Sequence, residues 1–198
     1  MPPIKRAQTM AENRARLLAA ARHAFATQGF ADASMDELTA AAGLTRGALY
    51  HHFGDKKGLL AAVVAQIDDE MAARARQAAQ QQSNDWDALI VEGTAYIEMA
   101  LDPEIRRVVL LDGPAVLGDP SQWPSQNACL DLTQQSLARL ASEGLLKPVD
   151  VEAAARLLNG AALNAALWVA ASDAPAATLP KAVAAFKALA AGLLAEAR

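Results

Sequence analysis

The segment SMDELTAAAGLTRGALYHHF, Ser34 to Phe53, leaves the chain few local structures to choose from. Ser34 and Glu37 are spaced as a capping box, in which a hydroxyl and a carboxylate satisfy the free N–H groups at a helix start. Gly43 stops that short helix, and Thr45 can cap a second one reaching Phe53. Two short helices joined by a glycine-bearing turn form a helix-turn-helix candidate. On a wheel of 100° per residue, Leu49 and Phe53 share one side while Arg46, Gly47, Tyr50 and His51 share the other. The first pair can anchor the helix to a core. Gly47 lowers helix stability by about 1 kcal/mol relative to alanine, but its lack of a side chain lets another surface come close.

Helical signals continue on both sides. Leu17 or Leu18, Ala21 and Phe25 recur at helical spacing between Met10 and Gln28, and Gly29 suits a helix end. Residues 1–8 read as basic and disordered. Asp55 can cap a long fourth helix from Lys56 toward Gln82. Further helices are expected over residues 86–100, from Asp102-Pro103 to about Leu111, from Ser125 to Glu143, from Asp150 to Ser172 and over 179–197, with Gly113 to Pro124 as a loop. Apolar residues make up 53 %, many of them alanine, and no alternating strand pattern interrupts them. The expected class is all-α.

Net charge is −4, yet residues 1–60 carry +3 and the remainder −7. A basic amino-terminal part joined to an acidic remainder is compatible with a polyanionic partner for the first. The outward face of the second short helix has the matching chemistry. Arginine can bond guanine O6 and N7 in bidentate fashion, and tyrosine and imidazole can donate to phosphate. Lys56 and Lys57 stand in the first turn of the fourth helix, where the helix dipole disfavours cations. An anion held by those lysines and the free N–H groups would offset that cost.

LTRGALYHHFGDKKGLL, preceded by AFATQGFADASMDELTAAAGL, resembles the DNA-binding segment of the TetR (tetracycline-repressor) family of bacterial transcriptional regulators. The resemblance is specific over Ala15 to Leu60; beyond it, helix number and length fit, and RRVVLLDGPAVLG resembles a segment of one subgroup's ligand-binding body. It implies a three-helix helix-turn-helix DNA-binding head over residues 1–55 on a helical effector-binding and dimerisation body over 56–198. It also implies a homodimeric repressor released from a palindromic operator on double-stranded DNA by a small-molecule effector. By matching position, Ser34, Thr45, Arg46, Gly47, Tyr50, His51, His52 and Lys56 would touch DNA. The wheel turns His52 away from the outward face, so its contact rests on the resemblance alone.

In the alanine-rich body, Trp86, Tyr96, Met99, Trp123, Asn127 and Trp168 are candidates to line an effector pocket, because aromatic walls with a few polar groups suit small molecules. The last two helices are apolar almost all round, more than one packed face requires. Leu157, Ala161, Leu167, Val183, Phe186 and Leu193 are therefore candidates for a dimeric four-helix interface. No carboxylate pair, Ser/His/Asp set or Cys/His cluster stands at a catalytic spacing, so no enzyme is expected, and neither a cofactor nor a metal. Adjacent histidines on a helix diverge by 100° and do not share one ion. A single cysteine, Cys129, allows no internal disulfide. The most apolar stretch, Gly160 to Ala171, is too short for a membrane span, and no leader opens the chain, so a cytoplasmic protein without a membrane partner is expected.

Overall fold

The caps and glycine stops fix where the helices begin and end. In the computed structural model, which describes residues 3–196, nine α-helices follow one another: α1 (Pro3–Thr27), α2 (Met35–Ala41), α3 (Arg46–Phe53), α4 (Lys56–Ala79), α5 (Asp85–Glu98), α6 (Gly113–Leu117), α7 (Pro124–Ser142), α8 (Val151–Ala171) and α9 (Pro175–Ala191). A π-helix over Ile105–Asp112 leads into α6, and 3₁₀ turns cover Met99–Leu101 and Pro120–Gln122. The described residues contain no strand; a lone antiparallel bridge pairs Leu146 with Leu194. No helix among them is long and apolar enough to cross a membrane.

Three expected boundaries move. The sequence suggests disorder over residues 1–8, but the chain is helical from Pro3; Met1 and Pro2 lie outside the described residues. The loop expected over Gly113 to Pro124 holds α6, which continues directly from the π-helix, and a 3₁₀ turn that Pro120 opens, where a missing N–H costs nothing. The last helix starts at Pro175 and stops at Ala191. Pro175 opens it for the same reason, and Leu193 and Ala195 then engage Lys147 N–H and the Leu145 carbonyl across to the α7–α8 connection. The expected end at residue 197 lies outside the described residues.

The contacts divide the chain into two units: residues 1–67 with 103–118, and residues 68–102 with 119–198. In the first, Leu17, Phe25, Leu38, Leu49, Leu59 and Val63 are fully or almost fully buried. The π-helix is fastened to the end of α1. Arg22 grips Glu104 through two hydrogen bonds of 2.8 and 2.7 Å, Phe30 N–H donates to the Asp112 carboxylate at 2.8 Å, and Arg107 donates to the Gln28 carbonyl at 3.2 Å. Gly29 takes φ +85°, and the Arg107 guanidinium fills the space a Cβ would need, so both the backbone and the packing require glycine there.

In the second unit, α8 packs on α5, α7 and α9. Its buried stripe includes Ala155, Ala162, Ala166 and Val169, small residues that let the helices approach closely. The Phe186 ring of α9 lies over Gly93 of α5, where an added Cβ would collide with it.

Candidate nucleic-acid interface and effector cavity

Ser34 and Thr45 cap the two short helices, although Ser34 bonds Asp36 instead of the Glu37 N–H expected of a capping box. Ser34 Oγ accepts the Asp36 N–H at 3.3 Å, and Thr45 Oγ1 accepts the Ala48 N–H at 3.3 Å. Between them Gly43 adopts φ +61°, with the Arg16 guanidinium 2.6 Å from where a Cβ would stand. Asp55 caps α4 by accepting the Gly58 N–H at 2.7 Å.

This frame orients α3. Leu49 is fully buried and Phe53 half-buried beneath the Arg14 guanidinium, 5.2 Å from the ring centroid. Thr45, Arg46, Gly47, Tyr50 and His51 are exposed, with Tyr50 at 54 %. Ser34 and His52 are intermediate. The His51 and His52 rings meet edge to face, 5.4 Å between centroids. No group of three His, Cys, Asp or Glu side chains among the described residues is placed to hold a metal ion.

Arg46 lies against α2. Its Nη2 donates to Asp36 Oδ2 at 2.6 Å and its Nε to the other oxygen, which brings the amino ends of α2 and α3 side by side. The pair holds the Asp36 carboxyl below its usual range and raises the Arg46 guanidinium. Lys56 is half-buried. Its ammonium donates to the Ala31 carbonyl at 3.2 Å and sits 4.5 Å from the centre of the Phe30 ring. An ammonium has three donors, so that bond leaves others for a further acceptor.

The second unit contains a cavity of about 60 Å³ between α4, α5, α7, α8 and α9. Leu89, Leu158 and Phe186 supply apolar wall; Glu92, Tyr96 and Gln126 supply polar groups. Burial pushes the Tyr96 hydroxyl far above its usual range and the Cys129 thiol up to about 11, each with a further push from the Asp68 charge. Glu92 is raised by burial as well, against the opposing pull of Arg76.

Of the six residues expected to line an effector pocket, only Tyr96 borders this cavity. Asn127 is exposed along a neighbouring groove with Leu130 and Gly160, which shares Gln126 and Asn159 with the cavity. Met99 is buried in a 3₁₀ turn and edges a different recess, beside Arg74 and Asp102. Trp168 points outward, 51 % exposed. Trp86 and Trp123 are half-buried at helix starts and do not line the cavity, and the Trp123 indole N–H has no partner among the described residues. Size and polarity suggested these residues, but helical phase decides which way each one points. The residues that sequence reasoning missed (Glu92, Gln126, Cys129) sit on the inward phase of α5 and α7, a signal visible only once neighbouring helices are known.

The expected interface residues separate in the same way. Leu157 is 75 % exposed, and Trp168 lies eleven residues on, three helical turns, so both occupy one face of α8. Leu189 of α9 is 67 % exposed. Ala161, Leu167, Val183 and Leu193 are half-exposed. Phe186 is a correction: with Ala182 and Ala190 it forms the inward stripe of α9 and is only 3 % exposed, packed on Gly93 within the unit.

Residues 17–63 match the family described as bacterial regulatory proteins, tetR family, and residues 86–193, more than half of the chain, match the tetracyclin repressor-like C-terminal domain. A TetR-family transcriptional regulator from Pectobacterium atrosepticum, solved by crystallography, is 48 % identical over 96 % of this chain and 98 % of its own, with a TM-score of 0.87. The chain belongs to the TetR family. The transcriptional regulator SrpR of Pseudomonas putida is 44 % identical over 61 residues, 31 % of this chain and 29 % of its own length. This TetR-family chain thus spans under a third of that curated relative and under half of the regulator TtgW, 46 % of whose length it matches. RolR, solved in complex with resorcinol, shares the TetR fold at 20 % identity, covering 96 % of this chain and 98 % of its own, with a TM-score of 0.67.

Proposed function

We propose that this TetR-family regulator is a cytoplasmic homodimeric repressor that binds a palindromic operator and leaves it when a small molecule enters the second unit. Residues 1–55 serve DNA binding, and residues 56–198 serve effector binding and dimerisation. The observation that carries the reading is the outward face of α3: Arg46, Gly47, Tyr50 and His51 are exposed on a short capped helix whose opposite side is anchored by buried Leu49.

On DNA, Arg46 exchanges the Asp36 carboxylate for a guanine edge, Gly47 permits close approach, and Tyr50 and His51 donate to phosphates. Ser34, Thr45 and Lys56, at the starts of α2, α3 and α4, take backbone phosphates in this reading, and so does His52. The exposed apolar face of α8 with Leu157 and Trp168, together with exposed Leu189 on α9, supports dimerisation through these two helices. Such a patch left in water marks an interaction surface, and two-fold pairing makes the operator palindromic.

The cavity supports an effector site, as the resorcinol complex of RolR does for that protein. α4 contributes Lys56 to the first unit and Ala72 and Ala75 to the cavity wall, so one continuous helix carries both functions. A ligand releases the operator only by preferring the conformer that does not fit DNA; complete release takes about 5 kcal/mol of preference. Gel-shift titration with DNA flanking the chain's own gene tests the reading. The proposal expects a discrete complex with that DNA and none with an unrelated duplex at equal salt. Equal binding to both, or to neither, refutes it.

A further inference from the structure

Asp68 lies on α4 one turn before the lining residue Ala72 and outside the lining itself, and the regulator reading leaves it without a role. It is 3 % exposed, and its Oδ2 has no hydrogen-bond partner among the described residues. Ser125 and Gln126 act on the carboxyl as hydrogen-bonding groups, and Gln126, which lines the cavity, acts likewise on the Tyr96 hydroxyl. The Asp68 charge is felt by Tyr96 and Cys129, both lining residues. A second acid, Glu92, stands in the wall itself.

Nothing in the lining balances these acids: it includes no Lys, Arg or His. On α4, Asp69 adds another negative charge and Arg76 one positive charge that reaches Glu92 and Cys129. α7 adds the Cys129 thiol and α5 the Tyr96 hydroxyl, both held protonated, and α8 and α9 bring no titratable group to the lining. The remaining wall is largely apolar.

We infer that the effector cavity selects a compact organic cation, a protonated amine on a small apolar body. The inference rests on the proposed effector role of this cavity and names the class of ligand. An ammonium in the cavity offsets the Glu92 charge in the wall and the Asp68 charge that reaches the lining residues Tyr96 and Cys129. A neutral hydroxyl offsets neither charge, and a carboxylate is repelled. Size narrows the choice further. A cavity of about 150 Å³ admits benzene, so one of about 60 Å³ holds only part of a four-carbon chain; a cation as long as butylammonium has to move the Phe186 ring off Gly93.

The test uses the full chain with three probes of similar length: butylammonium, 1-butanol and butyrate, each titrated by calorimetry and by thermal shift at pH 7. Butylammonium is expected to bind saturably and at least tenfold more tightly than 1-butanol, with no binding of butyrate. Asp68→Asn is expected to bring butylammonium down to the level of 1-butanol, and Glu92→Gln to weaken it severalfold. Should Asp68→Asn fail to fold by circular dichroism, the wild type is titrated at falling pH: affinity for butylammonium drops as the carboxyls take up protons, while that for 1-butanol stays constant. Equal affinities for the amine and the alcohol, binding of butyrate, or an amine preference that survives both Asp68→Asn and acid overturns the inference. Operator binding is measured on the same preparation. Intact DNA binding with no amine selectivity overturns the cation assignment alone, whereas amine binding by a protein that ignores DNA overturns the regulator reading alone.

Discussion

Leu49 and Tyr50 are neighbours in α3, yet the structure assigns them opposite consequences on removal. Leu49 is fully buried in the first unit, while Tyr50 is 54 % exposed. Truncating a fully buried leucine to alanine costs the transfer energy of the lost methyl groups and the cavity left behind, about 3–5 kcal/mol together. Set against a typical domain stability of about 5–15 kcal/mol, Leu49→Ala removes a large share. Tyr50→Ala deletes a ring that is mostly in water, so the expected change is within about 0.5 kcal/mol. On DNA the order reverses. Loss of a hydroxyl bonded to a charged phosphate oxygen lowers operator affinity about tenfold or more. Urea denaturation followed by circular dichroism reads the first effect, and fluorescence anisotropy on a labelled operator reads the second. At temperatures where Leu49→Ala remains folded, its DNA affinity stays near that of the wild type. A stable Leu49→Ala, or a Tyr50→Ala that unfolds early and binds DNA normally, would refute the assignment of inner and outer faces.

Other outcomes follow from the same geometry. Lys56→Ala is expected to weaken binding to every DNA sequence and to reduce the slope of log affinity against log salt by about one per subunit; an unchanged slope in an anisotropy salt series removes Lys56 from the phosphate contacts. Leu157→Arg places a charge at the centre of the exposed α8 face and is expected to turn a dimer into a monomer in sedimentation velocity, with helicity unchanged. Asp68 is raised by burial, so the native state binds its proton more tightly than the unfolded chain. The stability this confers is complete below about pH 4 and is lost as pH rises through the raised native value. Asp68→Asn stays neutral throughout, so its melting temperature should exceed the wild type's at pH 7 and match it below pH 4. An equal difference at both pH values contradicts the buried-charge account.

Much of the first unit was legible in the sequence because local chemistry governs it. Ser34, Thr45 and Asp55 cap where hydroxyl and carboxylate must, and Gly29 and Gly43 stop helices where φ turns positive. The inner and outer faces of α3 followed from periodicity. The second unit was less legible for a physical reason. α8 and α9 are alanine-rich and apolar on nearly every side, so no hydrophobic stripe states which side is inward. Phe186 and Trp168 thereby exchanged places relative to expectation: the former is buried on Gly93 and the latter is exposed. Asp68, in the run Ile67-Asp68-Asp69-Glu70, reads as one of three solvated acids. Only its phase between buried Ile67 and Met71 hints otherwise. The π-helix over Ile105–Asp112 has no local signature comparable to a cap; its ties to α1 through Arg22, Arg107 and Asp112 span roughly eighty residues of sequence.

The central claim, that two copies of α3 read a duplex through Arg46 and its neighbours, is tested most directly by selecting binding sites from a random duplex library with the wild type and with Arg46→Ala. The account predicts a two-fold symmetric consensus whose half-sites lie about one helical turn apart, ~34–36 Å, and loss of preference at one base pair in each half-site in the variant. A consensus without symmetry, or one that Arg46→Ala leaves unchanged at every position, would contradict it.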